Sequence, residues 1–362
     1  MITNTDSKRI EGYDFARALA ILGMILVNFK IVLEASEAGP AWLVWSVSLL
    51  EGRAAAMFVI LAGVGLTLLS NKARQQQDLA RLAQHRRTLL KRATFLFFVG
   101  LLYTPIWPAD ILHFYGLYIA VGAFLLSSSD RQLWGWALLF IGGFVAMLFL
   151  FDYETGWDWE TITYVDLWTP VGMMRHLFFN GFHPVFPWTA FLLIGMWLGR
   201  QDVRSGRIRG LILVISIMTV IIIELLSSGC FQLFSSTSIM DVSEASYVCG
   251  SQPIPPMPFY ILSGGGTAIA MIMLSVSLTE QFPTSLWLKP FITTGQLALT
   301  LYVAHVIIGM GALEMLGLLS PQTLWFTVLY GFGFYMVGMI FAVLWSTWFR
   351  RGPLEAVMRW LI

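Results

Sequence analysis

The chain has 362 residues, of which 57% are hydrophobic and 12% charged, and its formal net charge is +1. A soluble domain typically has about 45–50% apolar and about 25% charged residues. The composition therefore excludes a soluble enzyme, a disordered chain and a small disulfide-rich protein, and the near-neutral charge gives no indication of nucleic-acid binding. At about 20 residues per membrane span, the hydrophobic residues suffice for roughly ten spans.

Apolar runs follow one another along the chain, separated by polar or proline-rich segments. Because lipid offers no hydrogen-bond partner to a bare amide, each run is predicted to be an α-helix. The expected fold is an all-α polytopic membrane bundle, a single membrane domain over residues 1–362. The predicted spans are 15–33, 53–70, 93–107, 110–127, 132–151, 179–199, 210–228, 258–280, 292–316 and 324–349. No signal-peptide pattern precedes the first span, so we expect that span to be retained.

The basic residues predict the orientation of the spans. Eighteen of the 22 Lys and Arg residues fall in loops on the side of the N-terminus, among them Lys8, and the opposite loops contain only Arg175. Cytoplasmic loops are enriched in Lys and Arg, so both termini are expected in the cytoplasm. The basic segment 71–92 is predicted to be a cytoplasmic interfacial helix. It is either a topology signal attracted to anionic lipid or a docking site for a phosphate-bearing ligand.

Two outer loops follow from this orientation, at 152–178 and 229–257. The first is acidic, and the second contains both cysteines of the chain, Cys230 and Cys249. On the outer side a disulfide between them is permitted and would be structural, and the alternative is a pair of free thiols.

Polar side chains at membrane depth are costly and usually face a cavity or a partner. Asp110 and His113 are three residues apart, so they share a helix face and form a possible general base with its orienting carboxylate. The alternative is that Asp110 only caps the helix. His183 and His305 are further candidate bases, although each could simply hydrogen-bond a neighbouring helix.

Glu51 and Arg53 lie at the outer mouth of the second predicted span. They are candidate substrate-binding residues, and the alternative is that they only anchor the helix at the interface. The chain contains no phosphate loop, zinc-ligand spacing, GxSxG or dinucleotide fingerprint. No metal or redox cofactor is therefore expected.

The string RIEGYDFARALAILGMILVN, residues 9–28, resembles the opening of the transmembrane acyltransferase superfamily. This superfamily includes the DUF418 proteins, the DUF1624 proteins and the heparan-alpha-glucosaminide N-acetyltransferase family. The matching residues are Arg9, Asp14, Arg17, Ala18 (where the family usually has Gly) and Asn28. Further similar segments, in the family's order, are LEGRAAAMFVILAGVGL (50–66), DILHFYGLYIAVGAFLL (110–126), HPVFPWTAFLLIGMWLG (183–199) and GQLALTLYVAHVI (295–307).

The resemblance implies an integral membrane O- or N-acyltransferase in a bacterial cytoplasmic (inner) membrane. Such an enzyme would move an acyl group, often acetyl, from cytosolic coenzyme A to a sugar or similar acceptor on the outer side. Acetyl-CoA or another acyl-CoA would be the donor, and membrane lipid the surrounding partner. The basic residues expected to hold the donor's phosphates are Arg17, Arg86, Arg87 and Arg92.

The acetyltransferase family uses an Asn at the position of Asn28 and a His in the loop just beyond it. Here that loop reads FKIVLEASEAGPAW and has no His. Either His113, His183 or His305 supplies the base while Asn28 donates to the oxyanion, or the chain does not follow this mechanism. The alternative functions are a small-solute transporter or exporter with an outer polar vestibule, and a scaffold without a ligand. Since neither half of the chain clearly repeats the other, the enzyme is favoured over the transporter.

Overall fold

The structure is a computed structural model that describes residues 9–35, 39–237 and 240–362. Lys8, which belongs to the predicted basic N-terminal segment, lies outside the described residues. The regular secondary structure of the described residues is helical except for one two-stranded hairpin. The helices are α1 (Glu11–Val32), α2 (Ala41–Ser48), α3 (Arg53–Gln75), α4 (Leu79–Tyr103), α5 (Leu112–Phe124), α6 (Asp130–Leu148), α7 (Pro170–Arg175), α8 (Val185–Leu198), α9 (Gly206–Ser235), α10 (Val242–Cys249), α11 (Pro258–Gln281), α12 (Leu288–Gln296), α13 (Ala298–Ala304), α14 (Gly311–Met315), α15 (Leu324–Trp348) and α16 (Pro353–Leu361). π-helical turns follow α7 (His176–Asn180) and α13 (His305–Met310), and the hairpin pairs β1 (Trp157–Asp158) with β2 (Thr163–Tyr164).

Within the described residues, seven helical segments are long and apolar enough to cross a membrane, and a bent pair, Pro170–Asn180 with Val185–Leu198, makes an eighth. The chain is thus an all-helical, multi-pass membrane protein. The two remaining predicted spans fall on α4 and α5. The N-terminal half of α4 is basic, and α5 has 13 residues, which is short for a span. The number of ten spans therefore stays a prediction.

Three local expectations differ from the structure. The loop after the first span contains α2, an apolar helix with no counterpart among the predicted spans. The segment 71–92 is not one interfacial helix, because it comprises the end of α3, a turn and the first half of α4. The predicted span 292–316 is divided among α12, α13, a π turn and α14, with a non-helical residue, Leu297, between α12 and α13.

Polar caps explain where several helices begin. The Asp78 carboxylate accepts the Arg81 N–H at 3.0 Å at the start of α4. Ser129 and Gln132 form a reciprocal capping box at the start of α6. Such side chains satisfy amides that lack a partner in the first turn, so short polar segments between apolar runs set the helix boundaries.

The described chain divides into two compact units. The first comprises the described residues up to Ser48, Val203–Leu213 and Ile269–Val357. In it, α1 packs against α12, α13 and α15. Close helix approach depends on glycine, since a Cβ on Gly295 would lie 1.8 Å from the Asp14 carbonyl oxygen. Small residues of this kind let membrane helices pack backbone to backbone.

The second unit comprises Leu49–Asp202, Val214–Ala268 and Met358–Ile362. Here α8 packs against α3, α5 and α6, and α4 packs against α5. The crossing of α3 and α8 depends on two glycines. A Cβ on Gly63 would lie 2.0 Å from the Leu192 carbonyl oxygen, and one on Gly195 would lie 2.0 Å from that of Ile60. Gly100 of α4 similarly approaches the backbone of His113, which fixes the position of that histidine.

Candidate functional site

The first unit brings Asn28 of α1 together with His305, the first residue of the π turn after α13. The Asn28 Nδ2 and His305 Nε2 atoms are 2.9 Å apart, although the residues are 277 positions apart in sequence. His305 is fully buried, and the centre of its ring lies 6.1 Å from that of Phe29 and 5.1 Å from that of Tyr302. π turns within α-helices occur frequently at functional sites.

The contacts of His305 define its tautomer. Its Nδ1 is hydrogen-bonded to the Tyr302 carbonyl oxygen. A carbonyl oxygen can only accept, so Nδ1 carries the proton and Nε2 offers a lone pair to the Asn28 amide. The pair thus combines an unprotonated imidazole nitrogen with an amide N–H donor. The arrangement can chemically both accept a proton at Nε2 and donate a hydrogen bond from Nδ2.

The same unit contains a buried carboxylate at the start of α1. The side chain of Asp14 is 1% exposed, and its oxygens lie 2.6 Å from Arg17 Nη1 and 2.6 Å from Arg9 Nε. Two guanidinium groups therefore compensate one buried negative charge. Of the motif shared with the acyltransferases, Arg9, Asp14 and Arg17 form one ion-paired cluster, and Asn28 belongs to the pair with His305.

The second unit contains the other predicted couple, Asp110 and His113, both with fully buried side chains. The His113 Nδ1 atom lies 3.1 Å from Asp110 Oδ2. The same carboxylate oxygen accepts the N–H of Leu112 at 2.8 Å. Asp110 therefore caps the start of α5 and also contacts the imidazole of His113, and the role of His113 as a general base stays a prediction. Among the described residues, His113 Nε2 has no hydrogen-bond partner.

A second histidine stacks on this couple. The rings of His113 and His176 are 5.4 Å apart and nearly parallel. His176 also lines a cavity of about 170 Å³ with aromatic, proline and threonine walls. Its lining residues are Thr104, Pro105, Pro108, Trp157, Thr163, Tyr164, Leu167, Trp168 and His176. His183 lies nearby, since its ring centroid is 6.2 Å from that of Phe114, which itself contacts His113.

A polar network holds the hairpin that forms part of this cavity wall. Arg175 donates to both oxygens of Asp166, at 2.7 and 2.8 Å, and to the Tyr164 hydroxyl at 2.8 Å. The Tyr164 hydroxyl donates in turn to Asn180 Oδ1 at 2.7 Å. Burial raises the pKa of Tyr164, against the opposing effect of the Arg175 hydrogen bond, so the phenol stays protonated and can donate.

The predicted substrate-binding residue Arg53 forms an ion pair with Glu224 at 3.1 Å. Ser251 and Ser263 donate to the two carboxylate oxygens of Glu224, at 2.9 and 2.5 Å. Glu51 precedes Gly52, whose positive φ of 67° starts the turn into α3. The structure thus joins Arg53 to Glu224, a link between two distant parts of the sequence that no local pattern indicated.

Cys230 and Cys249 form a disulfide that closes a sequence separation of 19 residues. Among the described residues, no group of three or more His, Cys, Asp or Glu side chains could hold a metal ion.

The four arginines predicted to bind the acyl donor belong to different compact units. Arg17 belongs to the first unit, and Arg86, Arg87 and Arg92 to the second. Of the latter, Arg86 donates to the Ala123 carbonyl oxygen at 3.2 Å. Sequence reasoning had not assigned roles to His176, Tyr164 or Asn180. The aromatic residues of the loop before α7 were the available signal, but their pairing depends on the hairpin and the π turn.

Comparison with known families defines the class of the protein. The family Heparan-alpha-glucosaminide N-acetyltransferase, catalytic, matches residues 9–225, which include Asn28, Asp110, His113, His176 and His183. A second family, Protein of unknown function (DUF418), matches residues 202–362, which include His305. The chain belongs to the heparan-alpha-glucosaminide N-acetyltransferase catalytic family, a family of membrane acetyltransferases, as the opening motif predicted. Comparison with curated proteins finds no match.

Proposed function

We propose that the protein is a membrane acyltransferase that takes an acetyl group from acetyl-CoA in the cytoplasm and transfers it to an amine or hydroxyl of a sugar-like acceptor on the outer side. The family match supports the reaction class. The observation that carries the proposal for the reacting residues is the 2.9 Å contact between Asn28 and His305. It provides the imidazole that the loop after Asn28 lacks.

The chemistry follows from the tautomer of His305. When an acceptor N–H or O–H takes the place of the Asn28 amide at Nε2, the imidazole can remove its proton as the acceptor attacks the thioester carbonyl carbon. The released Nδ2–H donates to the oxyanion of the tetrahedral intermediate. On collapse the carbon–sulfur bond breaks, and the imidazolium returns the proton to the sulfur, so coenzyme A leaves as the thiol.

The proposed arrangement in the membrane is ten spans within one membrane domain, with both termini in the cytoplasm of a bacterial inner membrane. The uneven distribution of Lys and Arg supports this orientation. The disulfide joins Cys230 near the C-terminal end of α9 to Cys249 at the end of α10, and it supports exposure of this end of α9 to an oxidising exterior. Of the basic residues that the resemblance offered for the phosphates of the donor, we assign Arg17, and a higher KM for acetyl-CoA in Arg17→Gln would support this.

The first test uses the purified full-length protein in nanodiscs with acetyl-CoA labelled in the acetyl group and glucosamine as the acceptor. We expect label to appear on glucosamine together with an equal amount of free coenzyme A thiol. Heat-treated protein controls for uncatalysed transfer. If millimolar acetyl-CoA neither binds nor reacts, while the protein in proteoliposomes moves a small solute across the bilayer, the transporter interpretation replaces this one.

A further inference from the structure

A half-open apolar groove of about 160 Å³ runs along the packed pair α4 and α5 of the second unit. It is independent of the histidine clusters and of the proposed reaction. Its lining residues are Leu90, Ala93, Thr94, Phe97, Phe98, Gly116, Leu117 and Ala120. A rim residue, Phe98, is 59% exposed, so the groove opens to the surroundings of the protein.

Contacts between the two helices fix the direction of the groove. Gly116 of α5 approaches the backbone of Ala93 and Phe97, and near the other end of the pair Arg86 reaches the carbonyl oxygen of Ala123. The helices are therefore antiparallel. From the level of Gly116, the groove runs towards the C-terminal end of α5 and the basic half of α4.

A positive charge closes this end of the groove. The Arg86 guanidinium donates to the Ala123 carbonyl oxygen at 3.2 Å and lies 5.7 Å from the centre of the Phe124 ring. At 100° per residue, Arg86 and Arg87 share the face of α4 that carries Leu90, Ala93, Thr94 and Phe97. Arg87 is exposed. The same stripe of the helix is thus cationic at one end and apolar over the rest.

The dimensions suit one leaflet of a bilayer. Between Leu90 and Phe98, α4 rises about 12 Å at 1.5 Å per residue. One leaflet contributes about half of the roughly 30 Å hydrocarbon core. An acyl chain lying in the groove would therefore bring its headgroup to the level of Arg86 and Arg87.

We propose that this groove is a binding site for an anionic phospholipid, with one acyl chain along α4 and α5 and the headgroup phosphate at Arg86 and Arg87. Guanidinium groups bind phosphate oxygens well because they present paired N–H donors. This assignment gives Arg86 and Arg87 to lipid rather than to the phosphates of the acyl donor. Under this proposal, the basic segment 71–92 is attracted to anionic lipid, which is one of the two alternatives that the sequence left open.

The experiment is native mass spectrometry of the purified full-length protein, titrated with phosphatidylglycerol or phosphatidylcholine of equal chain length. We expect one tightly retained phosphatidylglycerol and weaker retention of phosphatidylcholine. Arg86→Gln and Arg87→Gln should each reduce phosphatidylglycerol affinity about five-fold, since a basic residue near an anionic surface contributes a factor of that order. Ala120→Phe, which fills the groove without changing charge, should reduce retention of both lipids.

The matched controls are Arg131→Gln, which removes an exposed arginine from α6, and Leu139→Phe, which adds bulk to an exposed position of α6. Both should retain phosphatidylglycerol as the wild type does. Because Arg87 is exposed, its variant remains informative if Arg86→Gln fails to fold. Equal retention of the two lipids, or unchanged affinity in Arg87→Gln and Ala120→Phe, would overturn the proposal. Displacement of the lipid by coenzyme A would also overturn it, in favour of a donor site.

Discussion

The two histidine clusters differ in what each imidazole contacts. In the first unit, His305 donates from Nδ1 to a backbone carbonyl, and Asn28 donates to its Nε2. In the second unit, a carboxylate orients His113, and its Nε2 has no partner among the described side chains. The first cluster already pairs a base with a hydrogen-bond donor. The second has an oriented base, but the carboxylate that orients it also caps α5.

Under the proposed function, the first cluster contains the reacting residues and the second a positioned histidine. Acyl transfer needs a base and an oxyanion donor within reach of one carbonyl carbon, and we propose that His305 and Asn28 supply them. The Asp110–His113 couple supplies a base and a helix cap. We therefore expect chemistry to depend on the first cluster and local structure of α5 to depend on the second.

The largest expected change in kcat distinguishes His305 from His113. His305→Ala should lower kcat for acetyl transfer to glucosamine by about 10²–10⁴-fold, since that is the usual loss on removing a general base. His113→Ala should lower it less than about tenfold while reducing thermal stability. Both variants are compared in the labelled acetyl-CoA assay. A large loss in His113→Ala together with normal turnover in His305→Ala would move the base to the second cluster.

Removal of the Asn28 side-chain amide should lower kcat by a smaller but still large factor. Asn28→Ala is expected to lower kcat by about 10²–10³-fold, the usual cost of losing one oxyanion donor. The matched control is Gln322→Ala, which removes another amide from the same unit and should leave kcat unchanged. Wild-type turnover in Asn28→Ala would show that this amide does not stabilise the intermediate.

The disulfide that joins α9 to α10 is expected to stabilise the folded protein. Loss of the cross-link in Cys230→Ser with Cys249→Ser should lower stability by about 3 kcal/mol, as the chain-entropy relation gives for loops of this size. Thermal unfolding of the purified protein measures the change. In the wild type, alkylation without reductant should add no mass, whereas two added alkyl groups would show free thiols.

A glycine substitution tests the structural role of the second cluster. A Cβ at Gly100 would lie 2.2 Å from the His113 backbone nitrogen, so Gly100→Ala should displace α5 and destabilise the protein by about 1–3 kcal/mol. Gly135→Ala on α6, where a Cβ meets nothing within 4 Å, is the control and should not destabilise the protein. Equal thermal stabilities of the two variants would contradict the close packing of α4 and α5.

The smallest change in stability is expected in the hydrogen-bond network that joins Arg175 to Asp166 and Tyr164. Arg175→Lys keeps the charge, but one ammonium cannot replace the separate nitrogens Nη2 and Nε that donate to Asp166 and Tyr164, which should cost about 1 kcal/mol. Hydrogen exchange in the loop 152–169 should become faster, with little change elsewhere. Arg131→Lys, at an exposed position, is the control. Unchanged exchange in the loop would show that the network does not hold the hairpin.

Much of the helical framework could be predicted from the apolar runs. The last predicted span, 324–349, nearly coincides with Leu324–Trp348. Helix ends were harder to place where polar sequence continues a helix. In α4, the basic residues extend the helix 14 positions before the predicted start at residue 93. Hydropathy marks where lipid contact begins, whereas hydrogen bonding and caps decide where a helix begins.

The candidate site could be predicted in part. Asp110 and His113 are three residues apart, so helical periodicity was sufficient to pair them. Asn28 and His305 each stood out as polar groups in apolar helices, but their contact spans 277 positions and depends on a π turn. Neither feature has a local signal in a single sequence. The contact of His176 with His113 could not be predicted for the same reason, because His176 also belongs to a π turn.

The central claim is that Asn28 and His305 act as one unit, and a double-mutant cycle on kcat/KM for acetyl transfer tests it most directly. When two residues act as one unit, removing either one abolishes the same contribution to the rate. The double variant Asn28→Ala with His305→Ala should therefore be about as slow as the slower single variant. Losses that multiply in the double variant, or normal rates in both single variants, would contradict the account.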